Sequence, residues 1–108
     1  MEPMKEARAN FMLTVIDNKV YVYGGISGRG TEDEKRHVPI MAESVCEVYD
    51  PVANTWTSLE MEGAFPIADF GATQLKEPTQ FLIFGGTDGC MLTSNTYIVD
   101  FAAKKVTF

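Results

Sequence analysis

Two apolar runs, each closing on a pair of glycines, set the first constraint on this 108-residue chain. Tyr21-Val22-Tyr23 leads into Gly24-Gly25, and Phe81-Leu82-Ile83-Phe84 leads into Gly85-Gly86. Downstream of each pair a further β-prone stretch ends in aspartate, at Asp50 and Asp100. A chain that repeats itself folds as repeated units, each of which buries its apolar faces against a neighbour. The first glycines of the two pairs are 61 residues apart (24 to 85) and the aspartates 50 (50 to 100). The first copy therefore holds 11 residues more than the second, all between its glycine pair and the strand that ends at Asp50.

Each copy reads as four strands. Phe11 to Ile16 is rich in β-formers, Asp17-Asn18-Lys19 is a turn of residues that tolerate left-handed geometry, and Val20 to Tyr23 is the second strand of a hairpin. Ser44 to Tyr49 is a third strand, Asp50-Pro51 through Asn54 a turn, and Thr55 to Leu59 a fourth strand with the only tryptophan, Trp56. Glu60 to Asp69 connects the copies. The order then recurs: Phe70 to Leu75, a turn over 76–80, Phe81 to Phe84, a loop over Thr87 to Leu92, Thr93 to Val99, a turn over 100–104, and Lys105 to Phe108. No segment has a helical period. A repeat of about 50 residues with four strands has the form of a propeller blade.

Charge and cysteine content exclude several classes. A net charge of −6 without a basic stripe suits neither nucleic acid nor an anionic membrane. No apolar run reaches the roughly 20 residues of a membrane span. Cys46 and Cys90 are too few for a disulfide framework, which points to a reducing, cytoplasmic setting. His37 is the only histidine and has no ligand at metal spacing, so no metal site, cofactor or catalytic group is expected. Cys90 has no base beside it to activate its thiol, and Cys46 is expected in the core. The glycine pairs lack the spacing of a phosphate-binding loop and read as backbone elements.

Several residues together resemble the kelch repeat family: the apolar run into Gly24-Gly25, then Val48-Tyr49-Asp50-Pro51, then Asn54-Thr55-Trp56, with six residues between the tyrosine and the tryptophan. The second copy matches at Gly85-Gly86-Thr87-Asp88-Gly89 and at Val99-Asp100, and departs at Val99 and Val106, where the first has Tyr49 and Trp56. The resemblance implies an all-β fold of two four-stranded antiparallel blades, a sector of a larger β-propeller ring. In that reading residues 1–10, with Pro3 and Arg8, are a connection arriving from an absent preceding blade. Residues 11–59 are the first blade with an inserted loop over 26–43, 60–69 an inter-blade connection, and 70–108 the second blade. Gly24, Gly25, Tyr49, Asp50, Trp56, Gly85, Gly86 and Asp100 are its structural residues. Tyr49 and Trp56 are expected to pack between blades.

The function so implied is binding of a protein partner, its identity unknown, through loops gathered on one face: 26–43, 60–69 and 87–93. Arg29, Lys35, Arg36 and His37 of the inserted loop are the contact candidates, set among Glu32, Asp33 and Glu34. Arginine leads that set because it is enriched at binding hot spots. The plainer reading of the loop is a solvated insertion with no role. The alternatives are a structural subunit of a large cytoskeletal or ciliary assembly and, remotely, a kelch-type oxidase. Two blades leave two apolar flanks, so self-association, or completion by blades of a longer chain or another chain, is expected.

Overall fold

The computed structural model describes residues 1–27, 41–42 and 45–108. Every regular element among them is a β-strand: β1 (Arg8–Ala9), β2 (Met12–Ile16), β3 (Lys19–Tyr23), β4 (Ile26–Ser27), β5 (Cys46–Asp50), β6 (Thr55–Ser58), β7 (Gly71–Gln74), β8 (Gln80–Phe84), β9 (Thr96–Asp100) and β10 (Lys105–Thr107). They form two four-stranded antiparallel meanders, β2-β3-β5-β6 and β7-β8-β9-β10, and a two-stranded sheet, β1-β4. Both meanders follow the expected order, with strand ends shifted by one to three residues. The largest shift is at β9, which begins at Thr96 instead of Thr93. Thr93 instead serves the preceding loop: its amide donates to the Gly86 carbonyl and its hydroxyl accepts from the Asn95 amide.

The turns explain the register. Asp17 and Asn18 take φ of 50° and 63°, which makes a two-residue turn whose twist matches the flanking strands. Lys19 is therefore already in β3, paired with Ile16. After β5 the Asp50 carboxylate accepts from the Val52 and Ala53 amides, and after β9 the Asp100 carboxylate accepts from Ala102 and Ala103. The same Asx turn thus closes both units. Cross-strand pairing extends the equivalence, since Val22 faces Glu47 where Ile83 faces Tyr97, and Tyr21 faces Val48 where Leu82 faces Ile98.

Alternation of side chains gives each sheet two faces. Tyr21 and Tyr23 on one face of the first sheet meet Phe70 and Phe101, and Phe101 in turn meets Phe81 of the second sheet. The buried cluster lies between the sheets: Tyr23 and Cys46 from the first, Phe81, Ile83, Tyr97, Val99 and Val106 from the second. Burial pushes the Tyr97 hydroxyl up to about 12, and raises that of Tyr23 further, with Tyr97 and Cys46 adding to the effect. Both rings are therefore neutral at ordinary pH, and this interface holds no phenolate charge.

The glycine pairs set how closely the units approach. Gly24 has φ of +76°, and a Cβ there would lie 2.5 Å from the Ile67 carbonyl oxygen and 2.9 Å from the Phe70 ring. Gly85, its equivalent, has φ of +71° but meets nothing nearer than the Thr93 carbonyl oxygen at 3.7 Å. Alanine costs about 1–2 kcal/mol of left-handed backbone strain at either position. At Gly24 alone a steric penalty of roughly 1–3 kcal/mol adds to it. In dilute solution, urea unfolding should therefore show Gly24→Ala losing clearly more stability than Gly85→Ala. Equal losses would show that the Gly24–Ile67 approach is not close.

Candidate functional site

A buried ion pair organises the entry to the first sheet. The Arg8 guanidinium donates from Nη2 to Glu47 Oε2 at 2.5 Å, and from Nη1 to the carbonyls of Gly24 at 2.9 Å and Val45 at 3.4 Å. Both side chains are fully buried. The other Glu47 oxygen accepts the Lys5 amide at 3.0 Å. One arginine thus ties β1, the first glycine pair and β5 together. Sequence reading placed Arg8 in a connection but missed its partner. The available signal was Glu47, a charged residue on the side of an otherwise apolar strand that the second copy fills with Tyr97.

The second unit fills this place without charge. Ala9 bridges Ile26 as Ala68 bridges Thr87, so Ile67 corresponds to Arg8 as Tyr97 does to Glu47. Ile67 and Tyr97 are both buried. Removing one partner of a buried pair costs about 3–5 kcal/mol, whereas replacing both with packed apolar groups can be nearly neutral.

Tyr49 and Trp56 are paired across β5 and β6, with ring centroids 5.1 Å apart. They lie on the face turned away from the second sheet, under residues 1–8 and not between the two sheets. The Tyr49 hydroxyl donates to Asn54 Oδ1 at 2.7 Å, and the Trp56 indole donates to the Glu2 carbonyl at 2.8 Å. The Asp100 carboxyl is held below the usual carboxylate range by the Gln80 side chain first, then by the Ala103 and Ala102 amides and Thr79. Asp50 and Asp100 close their own turns and do not come together.

The loop bases converge at one edge. Gly25 donates its amide to the Ile67 carbonyl at 2.8 Å, and Ala42 donates to Gly25. Ala68 and Thr87 exchange both backbone bonds. Ile26 bridges Met41 where Thr87 bridges Leu92. The first bridge spans 15 residues and the second 5, so most of the insertion lies within the first. In the shorter loop Asp88 accepts from the Cys90 and Met91 amides, which lowers its carboxyl below the ordinary range. Arg29, Lys35, Arg36 and His37 lie outside the described residues.

Among the described residues no cluster of three His, Cys, Asp or Glu could hold a metal, and no helix is long and apolar enough to cross a membrane. Neither cysteine is in a disulfide. Burial pushes the Cys46 thiol up to about 12 despite the opposing pull of Arg8, whereas Cys90 is exposed.

Two four-stranded antiparallel meanders packed face to face in this way are blades of a β-propeller. The profile of the Kelch motif family matches residues 7–60, half of the sequence, and the chain belongs to that family. The match covers the first unit with its insertion and begins one residue before Arg8. No curated protein matches the chain.

Two outcomes are expected from this geometry. Arg8→Ile or Glu47→Tyr alone should lower unfolding stability by about 3–5 kcal/mol. The double variant, which copies the second blade, should lose less than the sum. Additive losses in a double-mutant cycle would show that the pair is not coupled. Native alkylation with iodoacetamide should label Cys90 and spare Cys46 until denaturant is added. Labelling of both thiols in the folded chain would contradict the burial of Cys46.

Proposed function

We propose that this chain is a protein-interaction module that engages a partner through the loops at its blade edge, and that it carries out no reaction of its own. In this reading residues 1–10 lead into the first blade over 11–59, 60–69 join the blades, and 70–108 form the second. The observation that carries it is the convergence of the loop bases. Backbone bonds hold Gly25, Ala42, Ile67, Ala68 and Thr87 together, so the segments 26–43, 60–69 and 87–93 are rooted along one edge. The roots are tied by backbone hydrogen bonds and the segments differ in length, an arrangement in which a scaffold presents variable contact residues. The 26–43 segment carries Arg29, Lys35, Arg36 and His37, and its arginines can pair with carboxylates on a partner. Two cysteines outside any disulfide suit a reducing compartment, and the module is assigned to the cytoplasm.

A pull-down with mass spectrometry, using the chain as bait, tests this reading. Arg29→Ala or Arg36→Ala should reduce recovery of the partner at least about fivefold, the ~1 kcal/mol typical of a contributing contact. The melting temperature should not change. Partner recovery that survives deletion of residues 30–40 would refute the loop as the contact surface.

A further inference from the structure

The loop between β8 and β9 holds two large apolar side chains in water. Met91 and Leu92 are 72% and 84% exposed, and among the described residues no other two consecutive large apolar residues are both exposed. From Gly89 to Val99 no side chain is charged, so the stretch that holds the pair has no ion to desolvate.

Hydrogen bonds set the shape of this loop before anything binds to it. Asp88 Oδ1 accepts the Cys90 and Met91 amides, both at 2.9 Å, and the Asp88 amide donates to the Met91 carbonyl at 3.2 Å. Met91 is thus held through Asp88 at both its amide and its carbonyl. The Thr87 hydroxyl accepts the Gly89 amide at 3.1 Å, and Gly89 takes a φ of +102°, open to glycine. Leu92 bridges Thr87, which exchanges both backbone bonds with Ala68 of the inter-blade connection. The apolar pair is therefore tied to the edge where the loop bases converge. An apolar surface shaped in advance binds with a smaller ordering cost than a loose one.

Val52 supplies the contrast. It is 94% exposed, in the turn that closes the first unit at the opposite end of the strands. The same turn in the second unit has Ala102 in its place, so the repeat keeps no large apolar residue there. Leu92 instead corresponds to Met41, since Thr87 bridges Leu92 as Ile26 bridges Met41. An apolar residue thus recurs where each loop returns to its blade.

We propose that Met91 and Leu92 are the apolar anchor of the partner contact, seated in an apolar cleft on the surface of a folded protein. Asp88 is the positioning residue that shapes the anchor. This rests on the reading of the chain as a protein-interaction module, and it adds to the charged contacts of the 26–43 segment a contact of the opposite chemistry. Methionine is enriched at protein interfaces, and its flexible thioether adapts to the shape of a cleft.

Site-specific photo-crosslinking with the full 108-residue chain tests the proposal. A benzoylphenylalanine crosslinker at position 91, irradiated in cell extract, should join the chain to one protein, at an apolar segment found by mass spectrometry of the crosslinked peptide. The same crosslinker at position 52 should not capture that protein. Excess unlabelled wild-type chain should compete the crosslink away. Excess chain carrying Met91→Ser and Leu92→Ser should compete at least about tenfold less well, with its melting temperature unchanged. Asp88→Ala should also compete poorly, whereas Asp88→Asn, which keeps the acceptor oxygen, should compete like the wild type. Equal capture at positions 91 and 52 would overturn the proposal, because it marks general apolar adhesion. So would full competition by the double serine variant. Equal behaviour of Asp88→Ala and Asp88→Asn would overturn the positioning role. No crosslink at position 91, with a partner still recovered through residues 30–40, would overturn the anchor and leave the interaction module standing. The absence of any partner in both experiments would overturn both.

Discussion

The structure depends on one close approach of backbone to backbone. Gly25 donates its amide to the Ile67 carbonyl, and the missing side chain of Gly24 leaves room for that oxygen. The bond links the end of the third strand, β3, to the segment that enters the second blade. It fixes the distance at which Tyr21 and Tyr23 meet Phe70 and Phe101. Burial of those rings contributes the larger share of cohesion, since aromatic side chains carry large apolar areas. The glycines determine whether that burial can occur. A side chain at Gly24 would hold the sheets apart and open the aromatic layer to water.

The buried charge of the first blade has a place within this scheme. Arg8 holds the entering strand to the carbonyl of the same Gly24, and Glu47 neutralises it from β5. The second blade reaches an equivalent arrangement with Ile67 and Tyr97, so the fold does not require the ion pair at this position. What the pair adds is directional: a guanidinium with donors to three acceptors admits fewer arrangements of β1 than an apolar contact would. The N-terminal residues then continue over Trp56 and Asn54 through Glu2. The connection at Glu62 similarly runs beside Lys104 and Val106.

The repeat made most of this architecture legible in the sequence. Strand order, the matched turns at Asp50 and Asp100, and the insertion could be read because they are local or periodic. The turn at Asp17-Asn18 was legible in kind but came out one residue shorter, because left-handed geometry at both residues already closes the hairpin. The β1-β4 sheet was not legible, since two-residue strands have no period. The Arg8–Glu47 pair spans 39 residues and depends on a register that only the folded sheet defines. Tyr49 and Trp56 were expected between blades. Alternation along β5 and β6 places them on the face turned away from the second blade, beneath the N-terminal segment, so the second blade of this chain does not meet them. At the candidate contact surface the sequence supplied the residues, and the fold supplied the convergence of the loop bases.

Native-state amide hydrogen exchange at Gly25 tests the central claim most directly. A glycine amide at the end of a strand, beside long loops, would ordinarily exchange through local opening. If its bond to Ile67 joins the two blades into one cooperative unit, Gly25 will exchange as slowly as Val22 in the sheet interior, with a protection free energy equal to that of global unfolding. Rapid exchange at Gly25 while Val22 remains protected would contradict the account, because the blades would then separate without unfolding.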